Sequence, residues 1–258
     1  MLRVCSLGSG SSGNGLLVEV RDGPHTSRVL VDNGFNLRQL GQRLQRAGLE
    51  VGSLDAVFVT HEHSDHVGGV AALARRHGVP VYCTAGTAAA SSFDDERIEW
   101  RRVEAGQAVE IGALRVEPYA VPHDAAEPVQ YTFTDGLRRA GLLTDAGERS
   151  DTIVAALSGV HALVLECNHD VEMLQRGAYP PFLKARIAGA RGHLSNAQAA
   201  DILDRIDRAQ LGWIAAAHLS RSNNRPELAR QALAGVLDCA EDEIGIAYQD
   251  VGLDWRAV

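Results

Sequence analysis

Short apolar runs rich in β-branched residues dominate the first part of the chain. Leu2 to Leu7, Leu16 to Val20, Arg28 to Val31, Ala56 to Val59, Val79 to Cys83, pieces of Val103 to Val121, Val129 to Thr134 and Ala140 to Leu143 all predict strands. Turn signals such as Asp22-Gly23-Pro24 and Asp135-Gly136 separate them. Helical periodicity is interleaved. Leu37, Leu40, Leu44 and Ala47 keep one face apolar, with Asn36 placed as N-cap and Gly48 as a stop, and Val67 to His77 repeats the pattern. Further on, Ser195-Asn196-Ala197-Gln198 forms a capping box that opens a helix through Ala209, and Pro226 suits the first position of a helix to Leu237. Strands return at His161 to Glu166, Leu211 to Ala217 and Ile244 to Tyr248. Nothing reads as a linker or a repeat. The order predicts an α/β fold of two sheets with helices outside, in a single domain over residues 1–258.

Bulk properties narrow the class. At 258 residues, 45% hydrophobic and 22% charged, the chain has the size and composition of a globular protein with a full core. No stretch approaches the ~20 apolar residues of a membrane span, and MLRVCSLGSG lacks the layout of a signal peptide, so a cytoplasmic protein with no membrane partner is expected. Cys5, Cys83, Cys167 and Cys239 lie far apart without a CxxC, which predicts reduced, mostly buried thiols. A net charge of -8 argues against a broad basic face that coats nucleic acid. It leaves room for a nucleic-acid enzyme, because divalent ions in a cleft dominate the local field.

The candidate chemistry begins at Thr60-His61-Glu62-His63-Ser64-Asp65-His66, directly after an apolar run. In an extended segment His61 and His63 share one side and Glu62 faces the other, and a turn then brings Asp65 and His66 round. Four such groups serve two adjacent cations better than one tetrahedral ion. The metalloprotease pattern HExxH is excluded, because position 65 is Asp. Two ions need more ligands, and His123, Asp145 and His218 each follow an apolar run, where loops of an α/β domain gather on one rim. Singly each would read as a loop residue; as a set behind HxHxDH they read as ligands. A carboxylate such as Asp145 can bridge both ions.

Gly8-Ser9-Gly10-Ser11-Ser12-Gly13 also matches the dinucleotide fingerprint GxGxxG, with Asp32 about 20 residues later. The connecting helix is missing. Gly15 to Val20 alternates as a strand and Asp22-Gly23-Pro24 breaks the chain, so a hairpin and no nucleotide cofactor are expected. The loop amides are then free to face the metal cleft or an anion. Asp32 becomes a structural carboxylate that orients neighbouring loops.

HEHSDH, His123, Asp145 and His218 together resemble the metallo-β-lactamase superfamily. GSGSSGNG, His123-Asp124-Ala125 with Glu127-Pro128-Val129, Glu166-Cys167-Asn168-His169-Asp170, Gly192-His193-Leu194-Ser195-Asn196, and Ala217-His218-Leu219-Ser220 with Asn223-Asn224 resemble its WalJ-like (YycJ-like) branch, related to ribonuclease Z and ribonuclease J. Ala146 stands where the branch usually carries a second Thr, and Gln130 where Gly is common. The resemblance implies a four-layer αββα sandwich, with His61, His63 and His123 on one divalent ion, Asp65, His66 and His218 on the other, and Asp145 between. Glu166 and His193 are similar to a Glu–His pair of ribonuclease Z. The implied cofactors are two Zn2+ or Mn2+ ions.

The implied activity is metal-dependent phosphodiester hydrolysis, by a nuclease acting on single-stranded DNA or RNA from a 5′ end. Cleavage needs a proton for the leaving oxygen, and an imidazole oriented by a carboxylate supplies one near neutral pH. Asp65, His193 and Glu166 are thus the candidate catalytic residues. Ser195, Ser220, Asn223 and Asn224 are the candidate phosphate contacts. Small-molecule phosphodiesterase and thioester or ester hydrolase activities remain open alternatives on the same ions.

Overall fold

The computed structural model describes residues 1–91, 93 and 95–258. Its strands are β1 (Leu2–Gly8), β2 (Gly15–Asp22), β3 (His25–Val31), β4 (Ala56–Phe58), β5 (Val81–Cys83), β6 (Trp100–Arg102), β7 (Val109–Ile111), β8 (Leu114–Ala120), β9 (Val129–Thr134), β10 (Arg139–Leu143), β11 (Ala162–Glu166), β12 (Trp213–Ala217), β13 (Gly245–Ile246) and β14 (Leu253–Ala257). Its helices are α1 (Leu37–Arg46), α2 (Ser64–Val67), α3 (Val70–His77), α4 (Ala85–Ala90), α5 (Asp151–Leu157), α6 (Val171–Arg176), α7 (Pro181–Ile187), α8 (Asn196–Arg205) and α9 (Pro226–Leu237). Two seven-stranded sheets result, ordered β14-β1-β2-β3-β4-β5-β6 and β13-β12-β11-β10-β9-β8-β7. Each joins an antiparallel meander to a parallel half: β3 to β6 run parallel in one, β10 to β13 in the other.

The strand runs lack polar alternation because both faces of the central strands are covered. Leu16, Val18 and Val20 of β2 point to the core between the sheets, whereas Leu17 points outward beneath α1. In β11, Ala162 and Val164 face inward and Leu163 and Leu165 lie under α8 and α9. Leu40 and Leu44 of α1 and Val70, Leu73 and Ala74 of α3 close one outer layer. Ile202, Leu203, Ala229 and Leu233 close the other. Three apolar layers therefore separate helix, sheet, sheet and helix, which is the expected αββα sandwich.

Departures from the sequence reading have local causes. Val67 to His77 is not one helix: α2 and α3 part at Gly68-Gly69, where the Gly69 amide donates to Asn33 O. A Cβ on Gly69 would sit 1.8 Å from Phe35 O, so only glycine admits this approach. Helix α8 stops at Arg205 rather than Ala209, because buried Ile206 turns extended and Asp207 is bonded by Ser158 and Gly159. Pairing in Ile244 to Tyr248 is confined to β13, and Tyr248 then meets Gly252 across a turn into β14. That edge strand alternates apolar Leu253, Trp255 and Ala257 with polar Asp254 and Arg256, a pattern too short to stand out in the sequence, and the Arg3 guanidinium stacks 4.0 Å over its Trp255 ring.

On the first sheet, fully buried Glu19 receives Arg3 at 2.6 Å, Arg21 at 2.7 Å and Arg28. Burial alone would raise its pKa; the three guanidinium bonds outweigh it and hold the group down at about 2. A depressed carboxylate stabilises the fold above its unfolded pKa, and that contribution is lost as pH falls from about 4.5 through about 2. Glu19→Gln is expected to cost about 2 kcal/mol at pH 7, below the full loss for a wholly buried pair because the arginines reach solvent. In urea denaturation the gap between wild type and variant should close as pH approaches 2.

Candidate metal centre

The expected site residues gather on one rim, because β3, β4, β8, β10, β11 and β12 all end there. Asp32 follows β3, His61 follows β4, His123 follows β8, Asp145 follows β10, Glu166 ends β11 and His218 follows β12. Asp32, Asp145 and His218 adopt left-handed backbone with φ of 58°, 54° and 55°. Such strain costs about 1–3 kcal/mol per residue and persists only where the surroundings fix the conformation. Here it turns each chain back at a strand end, so that the side chain enters the rim.

The HEHSDH loop is held from beneath by Asp32. Its Oδ1 accepts the Thr60 amide at 2.8 Å, and its Oδ2 takes both the Thr60 hydroxyl and His66 Nδ1 at 2.8 Å. The Asn33 amide donates to His66 O at 2.7 Å. A Cβ on Gly34 would meet Asp65 O at 1.9 Å, so the two loops touch through bare backbone. Asn14 donates its backbone amide to Asp65 O and reaches His66 Nε2 with its side chain at 3.0 Å. Glu62, on the opposite side, accepts the Ala126 amide at 2.7 Å. At the start of the loop, Val129 N donates to Thr60 O and Tyr131 Oη to Val59 O, which ties one sheet to the other.

Ligand-bearing atoms converge in overlapping sets: His61, His63 and His123; Asp65, His66 and His218; His61, His66 and Asp145; and Asp145, Glu166, His193 and His218. Asp145 lies between, with Oδ2 3.1 Å from His66 Nε2 and Oδ1 3.6 Å from His218 Nε2. Asp65 Oδ2 stands 3.4 Å from His66 Nε2 and 3.6 Å from His218 Nε2. His63 Nδ1 and His123 Nε2 approach to 3.3 Å.

Besides His66, three of the rings have one nitrogen engaged by the scaffold. His61 Nδ1 meets the Thr60 hydroxyl at 2.9 Å, His123 Nδ1 donates to Gly192 O at 3.0 Å, and His218 Nδ1 faces Glu166 Oε1 at 3.3 Å. Buried His61 Nε2 and His218 Nε2 are left without a partner. Unpaired buried lone pairs aimed at one another are costly in a protein interior and are what a divalent cation satisfies. The donor set therefore fits two divalent cations.

The electrostatics agree. Burial would pull His218 down, yet Asp145 together with the neighbouring carboxylates of Asp65 and Glu166 raises its pKa to about 10. His66, against the same burial, is held well above the ordinary value by Asp145 and Asp32. For His61 burial wins, reinforced by the neighbouring rings, and the imidazole stays neutral with its lone pair available. The negative potential that raises two of these rings also favours divalent cations over protons. Beside them, His193 Nδ1 donates to Glu166 Oε1 at 2.8 Å and stands 3.5 Å from Asp145 Oδ1. Burial lowers its pKa; the Glu166 carboxylate outweighs that and raises it. Buried Glu166 also accepts the amides of Ala146 and Leu194, so its orientation is fixed.

A cleft of about 420 Å³ opens over the rim, lined by His63, Asp65, Asp145, His193 and His218 on one side and by Tyr179, Leu183, Arg186 and Ile187 on the other. The four expected phosphate contacts are placed differently from one another. Ser195 caps α8 and Asn224 bonds Cys167 O and Asn196, so both buried side chains are committed to the scaffold. Asn223 is buried against Ser220, and Ser220 borders an adjoining pocket of about 360 Å³. The GSGSSGNG loop borders the cleft through Ser11, but most of its amides are turned to other partners. Those of Ser9, Gly10, Ser12 and Gly13 are taken by Tyr248, Asn14, Gln249 and Gly10, and the loop contributes Asn14 and the Ser9 hydroxyl, which accepts the His218 amide. Sequence reading gave no role to Asn14, Thr60, Asp124 or Arg186. Asp124 is bound by Arg186 at 2.6 Å and stands 3.8 Å from His63. Its place immediately after His123 was the available signal.

The fold and rim define a metallo-β-lactamase-type site. A family model for the Beta-lactamase superfamily domain matches residues 27–214. Over 249 residues, 94% of this chain and 92% of the relative, the sequence is 36% identical to the exodeoxyribonuclease YycJ of Bacillus anthracis. It is 33% identical to the exodeoxyribonuclease WalJ of Streptococcus pneumoniae over 248 residues, 94% and 91% of the two chains. The crystal structure of the metallo-β-lactamase fold protein YhfI from Bacillus subtilis superposes with a TM-score of 0.75 over 100% of both chains, at 18% identity. The chain belongs to the metallo-β-lactamase superfamily.

Removing the support tests the geometry without touching the ligands' chemistry. Asp32→Ala is expected to weaken Zn2+ binding about 10- to 100-fold, as for other groups that orient a ligating imidazole. Competition with a chromophoric chelator measures the affinity, and circular dichroism should remain that of wild type.

Proposed function

We propose that this chain is a two-metal phosphodiesterase that removes nucleotides from single-stranded DNA, starting at a 5′ end, as one hydrolase domain over residues 1–258. The observation that carries this reading is the similarity, over 94% of the chain, to proteins described as exodeoxyribonucleases. RNA is the second polymer the same site chemistry would accept. His61, His63 and His123 would hold one cation and Asp65, His66 and His218 the other, with Asp145 placed between the two sets. Bound there, the cations lower the pKa of water far below its ~15.7 in bulk and neutralise phosphoryl charge. The imidazole-rich set suits zinc, and the carboxylates keep manganese open. No helix among the described residues is long and apolar enough to cross a membrane. The free cysteines suit a reducing cytoplasm.

The chain's own groups then supply the proton transfers. Asp65 lies at the cleft with its pKa held well below the usual range: burial opposes this, and bonds from His218 and His66 outweigh it. It is ionised at neutral pH and accepts a proton from the attacking water. His193, with Nδ1 tied to Glu166, keeps Nε2 for the leaving oxygen, and the Glu166 carboxylate that raises its pKa favours the protonated ring. Ser220 contacts the neighbouring phosphate, while Ser195, Asn223 and Asn224 shape the wall behind it.

His193→Ala should lower kcat on a 5′-phosphorylated single-stranded oligonucleotide by about 10²- to 10⁴-fold. Bis(p-nitrophenyl) phosphate, whose phenolate leaves without a proton, should lose far less. Asp65→Ala or a chelator should abolish both. Rapid hydrolysis of acyl thioesters or small diesters with all oligonucleotides inert would replace the nuclease reading.

A further inference from the structure

Helix α7 buries none of its residues, although it borders the cleft through Leu183 and Ile187. Phe182 on this helix is 75% exposed, and Tyr179 just before it lines the cleft. The surrounding segment, Met173 to Gly192, carries Arg176, Lys184, Arg186 and Arg191 and no acidic residue, in a chain of net charge -8. Lys184 is the only lysine in the protein. This basic, aromatic segment is wired to the rim at its end: the His193 amide donates to Ile187 O at 2.8 Å, and Gly192 O receives His123 Nδ1. Exposed aromatic faces beside cations, without hydrogen-bond readout of bases, are the means by which proteins hold single strands of any sequence.

We infer that residues 173–192 form the wall that grips single-stranded DNA outside the rim, with a nucleobase stacked on Phe182 and backbone phosphates on Lys184 and Arg191. Arg186 closes the inner end through Asp124, between the wall and His63. The occupant is a nucleic-acid strand and not a protein or a lipid surface, because the segment is continuous with the cleft that takes the scissile phosphate. The inference rests on the nuclease reading and adds to it the element that selects extended, unpaired substrate.

The test uses the full-length, metal-loaded protein with a fluorescent single-stranded 20-mer and a dinucleotide. Phe182→Ala should raise KM for the 20-mer about 10-fold with kcat within about twofold, the fold-change of one lost base stack. The dinucleotide KM should move much less, and Phe182→Trp should restore the 20-mer value. Lys184→Ala with Arg191→Ala should flatten the slope of log KM against log salt by about 0.7 per charge removed. An unchanged 20-mer KM and salt slope in both variants would overturn the wall while leaving the nuclease intact. Loss of binding to phosphatidylglycerol vesicles in Phe182→Ala, with oligonucleotide binding unaltered, would overturn it in favour of a membrane. A wild-type protein that hydrolyses bis(p-nitrophenyl) phosphate yet neither binds nor cleaves the 20-mer would overturn the nuclease reading and the wall with it.

Discussion

Buried imidazoles with one nitrogen anchored to the scaffold and the other turned toward a shared centre, two of them without any partner there, are the constraint on which the rest of this molecule depends. Thr60, Asp32, Gly192 O and Glu166 occupy one nitrogen of His61, His66, His123 and His218 respectively. The remaining ring atoms point at Asp145 and at one another. Left to itself such a cluster is unfavourable, because lone pairs and carboxylates are removed from water without compensation. It is tolerable only on a scaffold that is stable without it and in the company of cations. The three apolar layers supply that scaffold, and the strained backbone at Asp32, Asp145 and His218 marks where its stability is drawn upon.

The architecture explains how distant residues meet. Parallel halves of two sheets place five strand ends on one rim and β8 of the antiparallel meander adds a sixth, so ligands separated by more than a hundred residues become neighbours without long loops. Tyr131 and Val129 clamp the second sheet to Val59 and Thr60 of the first, at the point where HEHSDH begins. Chemistry divides along the same line. The HEHSDH loop belongs to the first sheet, while Asp145, Glu166, His193 and His218 follow the second, and the cleft lies along their junction.

Much of this was legible in the chain because it is local. Strand runs bounded by turns, the capping boxes at Asn36 and Ser195, and ligands placed just beyond apolar runs each announce themselves within a few residues. Asp32 could be assigned to loop support once the hairpin β2–β3 had displaced the dinucleotide reading. What escaped depends on distant packing. Whether Gly68-Gly69 breaks a helix is decided by Phe35, and whether the GSGSSGNG amides are free is decided by Gln249 and Tyr248. Ser195 and Asn224 looked like ligands for phosphate because polar residues near a site invite that reading; in the fold their hydrogen bonds are spent on α8 and Cys167. The α7 wall went unseen because a helix of seven residues with none fully buried is too short to reveal an apolar stripe.

The central claim is that dispersed histidines and aspartates assemble one paired-cation centre. Titrating metal-free protein with Zn2+ and counting ions by mass spectrometry of the intact native chain addresses it directly. The structure predicts two ions per chain, with loss of at least one in Asp145→Ala while folding is retained. A single tightly held ion in wild type, or a count of two that Asp145→Ala leaves unchanged, would contradict it.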